Sequence, residues 1–109
     1  MAKIDWTPQF LQRLDYHIGY AAVEFGKPTA MRWAKEIASF EARVKVYPTS
    51  CTPESLLHGK KKLYRRYHLM NRRFKVIYYY DDKADIVHLV DIWDTRMDSK
   101  MLVKRIKEG

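Results

Sequence analysis

Cysteine is nearly absent from this chain. Cys51 is the only one among 109 residues, which excludes an internal disulfide and a cysteine-rich zinc site. Glycine is scarce as well; the four glycines are scattered and match no phosphate-binding loop. No apolar run approaches the ~18 residues that a membrane span needs. The opening Met1–Trp6 lacks the apolar core of a secretion signal, so a cytoplasmic protein without membrane association is expected. His17, His58, His68 and His88 show no metal-ligand spacing, and no serine sits in a glycine-flanked elbow. No metal, no cofactor and no serine hydrolase is therefore expected. Cys51 lies in a polar stretch without an activating base, as a structural or incidental thiol would. His17 reads as a surface or partly buried histidine, and His88, inside an apolar strand, as a hydrogen-bonded core or partner-facing one.

What the chain does have is apolar and aromatic content: 47% and 14% of residues respectively, enough for a core. The length suits one domain spanning residues 1–109.

Acidic residues are missing from one segment. From Ser55 to Tyr80 there are eight bases (Lys60, Lys61, Lys62, Arg65, Arg66, Arg72, Arg73, Lys75) and no acid. The remaining 21 − 8 = 13 bases meet 13 acids, so the whole +8 net charge resides there. A focused basic field attracts phosphate polymers or an acidic protein. The alternative is a solvated strand pair kept soluble by its cations.

Periodicity gives the elements. Lys3 to Trp6 suits a short strand. Thr7-Pro8 opens a helix, with Thr as cap and Pro at the first position. Phe10, Leu11, Leu14, Ile18, Ala21, Ala22 and Phe25 then form one stripe ending at Gly26. Lys27-Pro28-Thr29 reads as a connection, with Thr29 capping a second helix. Its stripe is Ala30, Trp33, Ala34, Ile37, Phe40, Val44 and Tyr47, stopping before Pro48. A loop follows to Gly59, with one helical turn around Glu54 to His58. Three strands are predicted next: Leu63–Met70, Phe74–Tyr80 and Ile86–Trp93, separated by turns at Asn71-Arg72 and Asp81–Ala84. Ile86–Trp93 is apolar on both faces except at His88 and Asp91, so both faces should be covered. Asp98 can cap a last short helix with Met101, Leu102 and Ile106. The order β-α-α-β-β-β-α predicts an α+β fold: a helical hairpin packed on one face of a small antiparallel sheet.

Strand alternation sorts the basic residues. Arg65 and Tyr67 share one face, and Tyr64, Arg66 and His68 the other. Arg73, Lys75, Ile77 and Tyr79 oppose the more apolar Phe74, Val76, Tyr78 and Tyr80. The apolar set should face the hairpin, leaving Arg73, Lys75 and Tyr79 on an open face. Cations interleaved with aromatics on an open sheet suit nucleic acid, although Tyr and Phe are also simply good strand residues. Lys60, Lys61, Lys62, Arg66, Arg72, Arg73 and Tyr79 are the candidate residues for contacting nucleic acid or another target.

Several segments in order resemble the RelE/ParE superfamily, toxins of bacterial type II toxin–antitoxin systems. They are Ile4-Asp5-Trp6-Thr7-Pro8, Gly26-Lys27-Pro28-Thr29-Ala30, Tyr47-Pro48, Leu63-Tyr64-Arg65-Arg66, Phe74-Lys75-Val76-Ile77-Tyr78-Tyr79 and Val90-Asp91-Ile92-Trp93-Asp94-Thr95-Arg96-Met97-Asp98. The closing segment is most similar to the ParE, or plasmid-stabilisation, branch. That branch implies a toxin that poisons DNA gyrase through a binding surface, with Arg96 and Met101 to Ile106 the first candidates. The RelE branch implies the alternative, a ribosome-dependent endoribonuclease that cleaves mRNA. There the ribose 2′-OH attacks the adjacent phosphate, which demands proton carriers and cations. By position Arg65, Lys75 and Arg96 match its basic site residues and would form a phosphate clamp, with His68 and Tyr67 as possible proton carriers. The tyrosine that such nucleases carry after the last arginine is replaced here by Leu102. A third alternative is an inactive toxin-like module that only binds its antitoxin and operator complex. Each reading implies a toxin–antitoxin hetero-oligomer. Its partner would be an acidic antitoxin from an adjacent gene, steered by charge and held by apolar burial.

Overall fold

The computed structural model describes residues 1–108. Its elements are β1 (Lys3–Trp6), α1 (Pro8–Phe25), α2 (Lys27–Val46), a 3-10 turn (Ser55–Leu57), β2 (Tyr64–Leu69), β3 (Phe74–Asp81), β4 (Ile86–Asp94) and α3 (Ser99–Arg105). The α+β order is the one expected from periodicity.

Thr7 starts α1 and also anchors it. Its Oγ1 accepts the Phe10 N–H at 3.4 Å and donates to the Leu89 carbonyl at 2.6 Å. One hydroxyl thus caps the helix and ties it to β4. α1 ends at Gly26, whose φ of 92° is open to glycine and strained for any side chain. That single residue reverses the chain. α2 therefore begins at Lys27, with Pro28 in its first turn, and not after a Thr29 cap. Proline fits there because the first-turn N–H has no helical partner.

The sheet order is β1-β4-β3-β2. β2, β3 and β4 are antiparallel as expected, but β1 lies parallel to β4, from Lys3↔Ile86 to Trp6↔Leu89. The sheet is thus mixed. A strand that precedes its neighbour by some 80 residues has no hairpin to fix its direction.

Two cores form, one on each face. The hairpin contributes Phe10, Trp33, Ile37, Phe40 and Val44 against Leu69, Val76, Tyr78, Val87, Leu89 and Ile92. The stripes are narrower than their spacing suggests. Leu11, Phe25 and Tyr47 are 48%, 64% and 64% exposed, because only the sheet-facing side of the hairpin is covered. On the opposite face Leu57, Tyr64, Ile77, Trp93, Leu102 and Ile106 make a second cluster. α3 is too short to persist alone. It holds because burying Leu102 and Ile106 contributes about 1.5–3 kcal/mol each. The face expected to be open is therefore largely roofed by α3 and the 3-10 turn. This fulfils the expectation that β4, apolar on both sides, is covered on both. The cover comes from the chain itself, so β4 is not the apolar surface that a partner would bury.

A bulge keeps β4 in register with both layers. Ile77 pairs with Asp91 but Tyr78 pairs with Leu89, leaving Val90 as the extra residue. Val90, Asp91 and Trp93 consequently lie on the α3 side, and His88 shares that face farther out, beside Tyr79 and Asp5.

Candidate functional site

The basic segment does not spread over one face. β2 divides it into two exposed poles with a tied-up middle, roughly 20 Å apart at strand rise per residue. Lys60, Lys61 and Lys62 precede β2, and Arg72 and Arg73 follow it.

In the middle, Arg65 and Lys75 point to opposite faces. Arg65 lies beside Tyr78 on the hairpin side and donates to the Cys51 carbonyl at 2.7 Å. Lys75 is 7% exposed and donates to Glu54 Oε1 at 2.7 Å. Arg66 approaches the same carboxylate at 3.5 Å and donates to the Pro53 carbonyl at 2.9 Å. A lysine inside an apolar strand requires a counter-ion, and the loop supplies it. The Lys75 expected on an open face is thus a buried strut. Its partner Glu54 is found only in three dimensions. A backbone bridge between Pro53 and Arg65 completes the seam and covers the β2 edge.

Arg96 follows β4 and chelates Asp94, with Nε at 3.1 Å from Oδ1 and Nη2 at 2.9 Å from Oδ2. This hydrogen bonding, outweighing partial burial, holds the Asp94 carboxyl below its ordinary range. Arg65, Lys75 and Arg96 therefore sit at three separate places and do not converge into a phosphate clamp. Tyr67 is turned toward the hairpin, with its ring 5.1 Å from that of Phe40. His68 lies on the other face. Burial, with Arg72, Arg66 and Lys75 nearby, pushes its imidazole below the usual value, so it stays neutral near pH 7.

The arginine pole is a built feature. Met70, Asn71 and Arg72 have φ of 52°, 57° and 68° in succession, a left-handed run that is costly without support. Thr95 supplies the support: its Oγ1 contacts the Arg72 and Arg73 carbonyls at 2.9 Å each. Beside this turn is a cleft of about 290 Å³ lined by His17, Tyr20, Phe25, Arg32, Asn71, Arg73, Phe74 and Arg96, among others. His17 stacks on Trp33, and burial is the main reason its pKa falls. The outer face of α1 next to the cleft exposes Tyr16, Tyr20, Val23 and Phe25.

The lysine pole faces a second cleft, of about 390 Å³, with Tyr64 and Tyr79 in its wall. Tyr79 stacks on His88 at 4.7 Å between centroids and lies under the Lys62 ammonium. His88 Nδ1 is 2.7 Å from Asp5 Oδ2, which links β1 to β4. His88 is thus a hydrogen-bonded residue at the sheet margin. Sequence spacing held no sign of this pair, 83 residues apart. Cys51 is buried, in keeping with a structural thiol.

Below α3, Asp91 is fully buried and held by Arg105. Burial raises its pKa, opposed by Arg105. Arg105 also lies 4.8 Å from the Trp93 ring centroid. This pair serves the second core. Among the described residues, no group of three or more His, Cys, Asp or Glu is arranged to hold a metal ion, and no helix is long and apolar enough to cross a membrane.

Residues 4–99 match the family described as the ParE toxin of type II toxin–antitoxin system, parDE. The chain belongs to the ParE toxin family. The ParE branch, rather than the RelE branch, is thus the one that its sequence joins. A solved structure, the chromosomal ParDE TA system from P. aeruginosa, shares the fold with a TM-score of 0.66 at 17% identity. The alignment covers 86% of this chain and 96% of that one. No curated protein matches this ParE-family chain.

Proposed function

We propose that this ParE-family chain is a single-domain cytoplasmic toxin that arrests growth by binding DNA gyrase and that does not cleave RNA. One observation carries this reading. The three cations that a nuclease would bring together are held apart by internal partners: Arg65 on Cys51, Lys75 on Glu54 and Arg96 on Asp94. The exposed cations are left at two poles, an arrangement suited to contact rather than to acid–base chemistry. The target-binding residues in this reading are Lys60, Lys61, Lys62, Arg72, Arg73 and Arg96.

The antitoxin partner follows from the family, and its mode of neutralisation is part of the proposal. An acidic amphipathic segment would lay apolar side chains on Tyr16, Tyr20, Val23 and Phe25. Its carboxylates would meet Arg32, Arg73 and Arg96 at the adjoining cleft. Covering the arginine pole would remove part of the target-binding surface.

Induced expression, with and without the neighbouring gene, tests toxicity and neutralisation. Supercoiling by purified gyrase and mRNA cleavage on translating ribosomes identify the target. The expected result is lost supercoiling with intact mRNA, relieved in Arg96→Ala. Ribosome-dependent cleavage that vanishes in Arg96→Ala, with gyrase unaffected, would establish the endoribonuclease instead. Unimpaired growth at verified expression would identify an inactive antitoxin-binding module.

A further inference from the structure

The lysine pole holds an anion that belongs to the chain itself. The Glu108 carboxylate accepts the backbone N–H of Lys61 at 2.7 Å and that of Lys62 at 3.0 Å. It also accepts the Tyr64 hydroxyl at 3.0 Å. Two successive N–H groups aimed at one anion make a small nest, strengthened here by a phenol donor and by surrounding ammonium groups. Lys60 reaches across to the Ile106 carbonyl at 2.8 Å and fixes the tail beside the loop. Among the described residues, Glu108 is the only acid lining this cleft, against Lys61, Lys62 and Lys107.

We infer that the Lys61–Lys62 nest is a receptor for a nucleic-acid phosphate, and that Glu108 occupies it as an internal competitor. This deepens the proposed function, since it names what the lysine pole would recognise on a DNA-associated target. Three features favour a phosphate over the carboxylate of an acidic peptide. A carboxylate has two oxygens, and Glu108 already spends both on the three donors. A phosphate places two oxygens at similar spacing and has further oxygens for the ammonium groups of Lys61, Lys62 and Lys107. The adjoining cleft, about 390 Å³, is nucleoside-sized and walled by Pro8, Val90 and the Tyr79 ring. Gln9, also in that wall, has a buried Nε2 without a hydrogen-bond partner among the described residues. With its Nε2 closed off from solvent, Gln9 must rotate into the cleft before it can donate to a sugar or base oxygen there.

The arrangement has a regulatory consequence. An incoming phosphate must displace Glu108, so a lone inorganic phosphate competes poorly. A polyanion that also engages the neighbouring lysines competes well. Binding should therefore discriminate polymers from free phosphate and weaken steeply with salt.

The test uses the full chain, its Glu108→Ala variant and the Glu108→Ala/Tyr64→Phe double variant. The probes are inorganic phosphate, a short single-stranded oligonucleotide and an oligoglutamate peptide. Amide resonances of Lys61 and Lys62 report occupancy of the nest, and fluorescence titration gives affinity. The expected result is about a tenfold gain in oligonucleotide affinity in Glu108→Ala. Movement of the two amides accompanies it, and the double variant is several-fold weaker. Against desolvation, hydrogen bonds from Lys61, Lys62 and Tyr64 hold the Glu108 carboxyl below its ordinary range, and in the unaltered chain a saturating oligonucleotide should return it to ordinary glutamate titration. This readout needs no variant to fold. Unmoved Lys61 and Lys62 amides in Glu108→Ala, or an unchanged Glu108 titration with the oligonucleotide bound, would overturn the inference. Oligoglutamate binding as tight as the oligonucleotide would overturn it in favour of an acidic peptide. Because these readouts involve neither gyrase nor growth, their failure is distinct from failure of the proposed function.

Discussion

Glu54→Ala should be among the most damaging single substitutions in this chain, although it falls in a loop. The Glu54 and Lys75 side chains are 2% and 9% exposed, so solvent screens their pairing very little. Removing the carboxylate leaves the Lys75 ammonium buried without a partner, at a cost of about 3–5 kcal/mol. Domains of this size are stable by about 5–15 kcal/mol, so this is a large share of the total. At roughly 4 °C or more per kcal/mol, the lower bound, 3 × 4, gives a fall in Tm of about 12 °C. The partners are not symmetric. Lys75→Met leaves Glu54 with Arg66 at 3.5 Å, so it should cost less, about 1–3 kcal/mol. Glu54→Leu/Lys75→Met, which removes both charges, should recover to within about 1 kcal/mol of the parent. Urea unfolding followed by tryptophan fluorescence measures all four proteins, since Trp93 and Trp33 are buried. A loss below about 1 kcal/mol in Glu54→Ala, or a double variant no better than that single one, would refute the argument.

Two carboxylates should respond to pH in opposite senses. Burial raises the pKa of Asp91, so the folded state holds its proton longer than the unfolded one does. Stability from this group is present at low pH and lost as pH rises from the ordinary carboxylate value through the raised one. The stability of Asp91→Asn relative to the parent should therefore increase with pH across that window, and a flat difference would count against this assignment. The Asp94 pKa is depressed by Arg96, so its contribution is present above the ordinary value and lost as pH falls through the depressed one. Arg96→Ala should remove that contribution, so its unfolding midpoint should lie slightly below the parent's at neutral pH and converge with it in acid, as chemical denaturation at two pH values would show. Phe40, fully buried against Tyr67 and Tyr78, should cost about 3–5 kcal/mol when cut to alanine. A loss under about 1 kcal/mol would mean that the hairpin is not seated on the sheet as described.

The elements and their order were legible in the sequence because periodicity and capping are local. Apolar spacing, the Thr7-Pro8 start and the Asp98 cap each act over a few residues. Alternation along β2 and β3 likewise separated Arg65 from Arg66 correctly. The surplus positive charge was equally plain, since it is a matter of counting. Its disposition was not. Whether Lys75 faces solvent depends on a carboxylate 21 residues earlier in a loop. Whether the second sheet face is open depends on where a seven-residue helix docks. The direction of β1 and the Asp5–His88 pair depend on contacts across 83 residues. The seat of Glu108 depends on one across 47. Ion pairing and burial are set by distance in space, and the chain fixes those distances only once both cores have closed.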